Sequence, residues 1–206
     1  METPLRIEIA SDVICPWCYI GKRRLEKALA LLGGEIEVRI EWLPFQLNPG
    51  MPKEGVARAD YRRAKFGSLE RGRTLDARVA AEGAGEGIVF AFERMQRTPN
   101  TLAAHQLIDL AQAQEKAAPV VDALFRAYFE EARDVGEPAV LAQIAAACGV
   151  TRWPEGADEP RVAALEEGVR ELGISGVPTF IFDRRSGISG AHPPETLAAA
   201  IRDATK

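Results

Sequence analysis

The sequence predicts an α/β fold in which a small core of strands and helices is interrupted by a large all-helical domain. Two strand-like segments lie near the N-terminus, and further strand-like segments return only after residue 173. The residues between them are rich in alanine and carry apolar side chains at helical spacing, which is typical of packed helices. We therefore predict a discontinuous domain formed by residues 1–52 and 174–206, and an inserted helical domain formed by residues 53–173.

The first elements are a strand and a helix joined by a short turn. Apolar and charged residues alternate over Leu5–Ala10, which is typical of a strand with one covered face. Ser11 and Asp12 then form a turn. Apolar residues recur at largely helical spacing from Pro16 to Leu32, and the glycine pair that follows supplies a stop signal.

Two cysteines lie at this strand-to-helix junction, in the tetrapeptide Cys15-Pro16-Trp17-Cys18. Backbone N–H groups and the dipole at a helix N-terminus favour negative charge, so we expect a stabilised thiolate at Cys15. Cys18, one turn later, should be more shielded, which suits a resolving thiol. Pro16 fits the first helical turn because its missing N–H would have no partner there. The spacing therefore predicts a redox-active dithiol.

A pair of cysteines at this spacing has two other interpretations. Half of a zinc site would need a second pair of ligands, and the sequence offers only Cys148 and two histidines, so we expect no metal. A purely structural disulfide would close too small a loop to constrain the unfolded chain. Cys148 continues an apolar stripe with Leu141 and Ile144, and we expect it to be a buried core thiol.

The second strand candidate spans residues 36–42, where apolar residues alternate with charged ones. The segment from Leu43 to Gly50 is rich in proline, so we expect it to leave the sheet and to cover the core. Within the helical block, Pro119 and Pro138 are placed where helices could begin. Strand formers return over residues 177–182 and, after a turn, over 188–191, before a final helix that opens at Pro194.

Composition restricts the function. The chain has 206 residues, 47% of them hydrophobic, and a net charge of −4 with a pI near 5.4, which argues against a nucleic-acid partner. No apolar run approaches the ~20 residues of a membrane span, so no membrane partner is expected. No secretory signal is visible at the N-terminus, and we expect a cytoplasmic location. Disulfides in a reducing cytosol are usually transient and catalytic.

Five segments carry a resemblance to a known family. They occur in this order along the chain: Cys15–Gly21, Phe45–Pro49, residues 100–105 with Asn-Thr and Ala-His, Gly176–Phe180 and Ser189–Ala191. With them the chain resembles DsbA-type proteins, which insert a helical domain into a thioredoxin fold, and more narrowly their FrnE-like branch. The resemblance covers nearly the whole chain. It implies a thiol–disulfide oxidoreductase that oxidises, reduces or isomerises disulfides in protein or small-thiol substrates.

The resemblance also implies a role for Val177 and Pro178. In thioredoxin-like proteins the proline at this position follows a cis peptide bond and faces the two cysteines. The backbone of Val177 would then be available to pair with an extended substrate. Together with Pro16 and Trp17, which lie between the two thiols, these residues form the expected substrate-binding set.

A rival function comes from the same architecture. Kappa-class glutathione transferases and 2-hydroxychromene-2-carboxylate isomerases share it, bind glutathione, and generally have a serine where Cys15 stands. Retention of Cys18 favours dithiol exchange, and a glutathione-dependent isomerase or transferase stays the alternative. No bound cofactor is expected, and glutathione stays open as a co-substrate. A redox-sensing or holdase-like binding protein is a third interpretation. His105 is expected to be a packed or hydrogen-bonded helical residue.

Overall fold

The structure is a computed structural model in which residues 4–206 are described. None of the helices in this described range is long and apolar enough to cross a membrane. The elements, in chain order, are β1 (Leu5–Ser11), α1 (Pro16–Leu32), β2 (Val38–Pro44), β3 (Val56–Ala57), α2 (Arg58–Phe66), α3 (Leu69–Ala84), β4 (Arg97–Thr98), α4 (Leu102–Gln112), α5 (Ala117–Phe129), α6 (Pro138–Ala147), α7 (Glu159–Glu171), β5 (Thr179–Phe182), β6 (Ser186–Ser189) and α8 (Pro194–Ala204).

The chain divides into two units, one made of the chain up to Leu47 together with Ala163–Lys206, the other of Asn48–Val162. The domain boundaries expected from the sequence, at residues 53 and 173, lie further along the chain and stay a prediction. The structure shows why the second half of α7 groups with the first unit. Val169 packs in one cluster with Leu43 and Phe45, so the apolar face of α7 is covered by residues at the end of β2 and just after it.

The first unit is built around a mixed sheet with the strand order β2-β1-β5-β6. The pairing of β1 with β2 is parallel, whereas β5 is antiparallel to both β1 and β6. Ile7 and Ile9 of β1 and Phe180 of β5 are almost fully buried, and α1 packs against α8. Strand, helix, strand and then strand, strand, helix is the order that the sequence predicts, so the α/β class with a helical insertion is confirmed.

The second strand runs further than the sequence predicts. Proline was expected to end it after Trp42, yet β2 continues to Pro44, which pairs with Ser11. Because β2 is an edge strand of this sheet, a residue without an N–H can face outward and cost no ladder bond. The expectation that the following residues cover the core is confirmed, since Leu43 and Phe45 are buried.

The second unit contains α2 to α6 and the short antiparallel pair β3–β4. Its core is formed by one face of α5, where Leu124, Phe125 and Phe129 are buried. His105 of α4 is buried as expected. Cys148 differs from its prediction: α6 ends at Ala147 and Cys148 is its C-terminal cap, only partly buried. The buried apolar stripe of α6 ends at Ile144 and Ala145, one turn before Cys148, because the helix ends at Ala147.

A buried ion pair ties the turn between β5 and β6 to the first strand. Glu8 of β1 is 1% exposed, and the guanidinium of Arg184 donates to both of its carboxylate oxygens at 2.8–3.0 Å. The backbone N–H of Arg6 donates to Asp183 Oδ1, and the N–H of Asp183 donates back to Arg6 O, both at 2.9 Å. A carboxylate at such a depth needs this compensation.

We expect the Arg184→Ala variant to be destabilised, because the Glu8 carboxylate stays buried while its hydrogen bonds to Arg184 are lost and Arg6 lies 3.9 Å away. The free energy of unfolding should fall by about 1–3 kcal/mol, less than for a fully buried pair because Arg184 is half-exposed. Urea denaturation measures the change. In the control Arg39→Ala, which removes an exposed partner of Glu41, the change should stay within about 0.5 kcal/mol. Equal losses in both variants would contradict this assignment.

Candidate active site

The two cysteines lie where the sequence places them, at the junction of β1 and α1. Cys15 is the N-cap of α1 and has an extended backbone, and Pro16 occupies the first helical turn. The N–H of Cys15 donates to Asp12 O at 3.0 Å, and the N–H of Cys18 donates to Cys15 O at 3.0 Å. Two local hydrogen bonds thus set the turn that carries both thiols.

Both cysteines are free thiols and both are buried, Cys15 with 5% and Cys18 with 2% of its surface exposed. Trp17, between them, is 39% exposed, and Pro16 is partly exposed. Cys18 is therefore more shielded than Cys15, as expected, but the difference in exposed surface is small. The part of this tetrapeptide that meets solvent is its central dipeptide.

Burial and the neighbouring groups shift the pKa of the Cys18 thiol. Burial raises the pKa of the Cys18 thiol well above its usual value, and the hydrogen bond and charge of Cys15 raise it further. A hydrogen bond with the Ser11 hydroxyl and one with the Asp12 backbone act in the opposite direction. Cys18 therefore holds its proton at neutral pH, and Ser11 is the neighbouring side chain best placed to favour its thiolate.

Val177 and Pro178 lie beside this turn, although 162 positions separate Val177 from Cys15. The thiol of Cys15 donates a hydrogen bond to Val177 O, with Sγ 3.7 Å from the oxygen. The Val177–Pro178 peptide bond is cis. Val177 is partly exposed, whereas Pro178 is buried, and its carbonyl accepts a hydrogen bond of 2.8 Å from the N–H of Gly190.

Gly21 of α1 makes this approach sterically feasible. A Cβ at this position would lie 2.9 Å from Pro178 Cγ and 3.3 Å from Phe180 Cζ, closer than such atoms pack. Gly21 lies three residues after Cys18, on the same side of α1. Gly21 closes the first of the five family segments, and no role is predicted for it from the sequence. A glycine inside an apolar helical stripe is the signal that could have indicated a close contact.

A second set of buried polar groups holds the chain that follows β2. The fully buried Asp12 accepts a hydrogen bond of 2.7 Å from the N–H of Leu47 through Oδ2. Next to it, Glu166 of α7 accepts from the N–H and the side-chain amide of Gln46 and from Arg170, at 2.7–2.9 Å. Burial alone would raise the pKa of Glu166, but these hydrogen bonds hold it below its usual value.

The site residues proposed from the sequence fall into two groups. Cys15, Pro16, Trp17 and Cys18 form one turn of backbone, and the carbonyl of Val177 lies next to the Cys15 thiol of that turn.

Within residues 4–206, no group of three or more His, Cys, Asp or Glu side chains is arranged to hold a metal ion. The arrangement can support nucleophilic thiol chemistry beside an exposed aromatic side chain.

Comparison with known proteins identifies a family and its fold. The family model for DsbA-like thioredoxin domains matches residues 6–202. The crystal structure of a probable DsbA oxidoreductase from Streptomyces coelicolor is 32% identical, with a TM-score of 0.88 over 98% of this chain and 90% of that chain. The uncharacterized protein YwbO of Bacillus subtilis is 26% identical over 98% of each sequence.

More distant structures share the fold alone. A 2-hydroxychromene-2-carboxylate isomerase is 17% identical, with a TM-score of 0.68 over 96% of this chain and 95% of its own. The cytosolic disulfide reductase DsbM from Pseudomonas aeruginosa, solved with GSH, is 20% identical, with a TM-score of 0.65 over 96% and 98% of the two chains. The predicted thioredoxin fold with an inserted helical domain is thus confirmed.

We expect the reactivity of Cys18 to rise over a higher pH range than that of an ordinary thiol. Its raised pKa makes its thiolate scarcer at neutral pH than in free cysteine, whose pKa is about 8.5. In a Cys15→Ser, Cys148→Ser double variant, burial still acts on Cys18. Iodoacetamide should therefore alkylate it at least ~10-fold more slowly than N-acetylcysteine at neutral pH, as followed by mass spectrometry. The rate should still increase at pH values where that of N-acetylcysteine has levelled off.

The same double variant unfolded in guanidinium chloride is the control, and it should react like N-acetylcysteine. If the alkylation rate of the native protein reached its plateau at the same pH as that of an ordinary thiol, burial would not be what sets the pKa of Cys18.

Replacing Gly21 by alanine should push α1 away from Pro178. The free energy of unfolding should fall by about 1–3 kcal/mol in urea, although alanine favours a helix over glycine by about 1 kcal/mol. Gly168→Ala is the matched control, because Gly168 lies in α7 with nothing within 4 Å of its missing Cβ. It should keep or gain stability. A stabilised Gly21→Ala variant would show that the helix can move without cost.

Proposed function

Since this chain belongs to the family of DsbA-like thioredoxin domains, we propose that it is a thiol–disulfide oxidoreductase whose catalytic residues are Cys15 and Cys18. The observation that carries the proposal is the position of two neighbouring thiols at the start of α1, with Cys15 Sγ 3.7 Å from Val177 O. Two thiols at this spacing can form a disulfide and open it again.

In the reducing direction, the Cys15 thiolate attacks one sulfur of a substrate disulfide. The substrate S–S bond breaks, a mixed disulfide to Cys15 forms, and the departing sulfur takes up a proton. The position of Cys15 at the N-terminus of α1 supports this role, because the unpaired N–H groups there favour an anion.

Cys18 then resolves the mixed disulfide. It gives up its proton and attacks the Cys15 sulfur, so that a Cys15–Cys18 disulfide forms and the second substrate thiol leaves. Two electrons pass from the dithiol to the substrate, and the reverse sequence donates the disulfide. The raised pKa of Cys18 supports this division of labour, since a protonated Cys18 does not compete with Cys15 for the first attack.

Pro16, Trp17, Val177 and Pro178 are the residues we propose for substrate binding. Trp17 supplies an exposed aromatic surface next to Cys15, and the partly exposed Val177 offers backbone groups to an extended segment. Pro178 is buried against α1, so its contribution is to shape this surface.

The partners we propose are proteins or small molecules that contain a disulfide or a thiol. Glutathione is the candidate thiol that would reduce the Cys15–Cys18 disulfide again, an idea supported by the fold that this chain shares with a cytosolic disulfide reductase solved with GSH. A cytoplasmic location fits the same comparison and the low number of cysteines.

The proposal is tested by dithiothreitol-driven insulin reduction and by refolding of a disulfide protein with oxidised glutathione. Cys15→Ser should lower both activities at least ~100-fold, because the attacking sulfur is lost. Cys18→Ala should accumulate a mixed disulfide between Cys15 and substrate, visible by mass spectrometry. Cys148→Ser is the control and should keep full activity. Unchanged activity in Cys15→Ser would overturn the assignment.

A glutathione-dependent isomerase or transferase is the alternative, and its fold is shared with the isomerase compared above. Such an enzyme needs one activated group, so Cys18→Ala would be tolerated while glutathione would be required. Thiol-dependent binding without turnover would instead indicate a redox-sensing or holdase-like protein.

A further inference from the structure

A cavity of about 920 Å³ lies within the second unit, well away in sequence from the two cysteines. Its walls come from α2, α3 and the segment from Phe90 to Gln96. Cavities of this size are typical of sites that bind small organic molecules. Nothing in the proposed dithiol chemistry uses it.

One wall of the cavity is aromatic and firmly held. The rings of Phe90 and Phe92 are stacked with their centroids 4.7 Å apart and their planes 7° from parallel. Phe129 of α5 supports both rings edge-on, at 5.3 and 6.3 Å. Gly83 of α3 contacts Phe90 so closely that a Cβ there would overlap the ring. The stacked pair is therefore rigid, and an aromatic group could pack against it with little rearrangement.

A second wall is cationic. Arg58 and Arg62 of α2 each have 13% of their side chain exposed, and they bind the two oxygens of Asp76 at 3.2 and 2.8 Å. The Arg58 guanidinium also lies 5.4 Å from the centroid of Phe92. Burial lowers the pKa of Arg62 and raises that of Asp76. Charges in this wall are thus poorly hydrated, and a new charge brought near them interacts strongly.

A third arginine leaves this wall with uncompensated positive charge. Arg73 of α3 lines the cavity and forms no hydrogen bond or ion pair with any residue in the described range 4–206. The lining carries three guanidinium groups against the carboxylates of Asp76 and Glu93, an excess of one positive charge, and both Arg73 and Glu93 are exposed. The whole chain, by contrast, has a net charge of −4. The excess cation is therefore a local property of the cavity.

We propose that this cavity binds a small aromatic carboxylate. The aromatic ring would pack on the wall of Phe90 and Phe92, and the carboxylate would be bound by Arg73. Guanidinium and carboxylate are complementary in charge and hydrogen-bonding geometry, and Arg58 and Arg62 already bind Asp76 in this way. The inference is independent of the dithiol chemistry.

The test uses 2-naphthoate and 2-naphthol, which share one ring system and differ in charge at neutral pH. Calorimetry of the full chain should give a dissociation constant of about 10 µM to 1 mM for 2-naphthoate, ordinary for a ligand of this size. We expect 2-naphthol to bind at least ~5-fold more weakly. Amide shifts in NMR spectra should be largest for the segment from Phe90 to Gln96.

Two variants separate charge from volume. Arg73→Gln should remove most of the advantage of 2-naphthoate while leaving 2-naphthol unchanged, whereas Arg78→Gln, at an exposed arginine of α3 outside the cavity, should alter neither. Ala77→Leu should fill the cavity and weaken both probes about 10-fold, while Ala81→Leu, on the outside of α3, should not. Thermal unfolding verifies that each variant is folded.

Three outcomes would overturn the proposal. Equal affinity of the two probes for the unaltered protein would remove the role of charge. Undiminished binding in a folded Ala77→Leu variant would place the ligand elsewhere. Amide shifts confined to residues around Cys15 would show that the probes occupy the dithiol site instead.

Discussion

The contact between Gly21 and Pro178 is the constraint on which the candidate active site depends. Helix α1 carries both cysteines, and its approach to the start of β5 is limited by what stands at position 21. With no Cβ there, the proline ring packs directly on the helix. The separation of Cys15 Sγ and Val177 O, 3.7 Å, depends on this approach and on the pairing of β1 with β5, in which Ala10 lies opposite Thr179.

Hydrogen bonds to buried carboxylates fix the position of the segment after β2, which apolar packing alone would not define. Asp12 accepts from the N–H of Leu47, and Glu166 accepts from Gln46 and Arg170. Both carboxylates are buried, and these hydrogen bonds hold them to the segment after β2, so a displacement of that segment would break hydrogen bonds to buried carboxylates. The result is one defined position for the chain that flanks the Cys15 turn.

The residue pattern predicted what depends on neighbours along the chain, whereas the approach of Val177 to Cys15 was expected only from the family resemblance and other long-range contacts were missed. Alternation of apolar residues located β1, and the stop signals and Pro16 located α1, because these features are local. The extension of β2 through Pro44 depends on its being an edge strand, and the partial exposure of Cys148 depends on where α6 ends. Neither follows from periodicity. The partnership of Glu166 with Gln46 spans 120 positions and leaves no pattern in one sequence.

The first unit is assembled from both ends of the chain, and this has a consequence for how the protein is made. A ribosome synthesises the Cys15 turn well before β5, which completes the sheet, and α8, which packs on α1. Until then Gly21 has no Pro178 to pack against. The contacts of the Cys15 turn with Val177 and of Gly21 with Pro178 can therefore form only after the segment that leads into β5 has been synthesised.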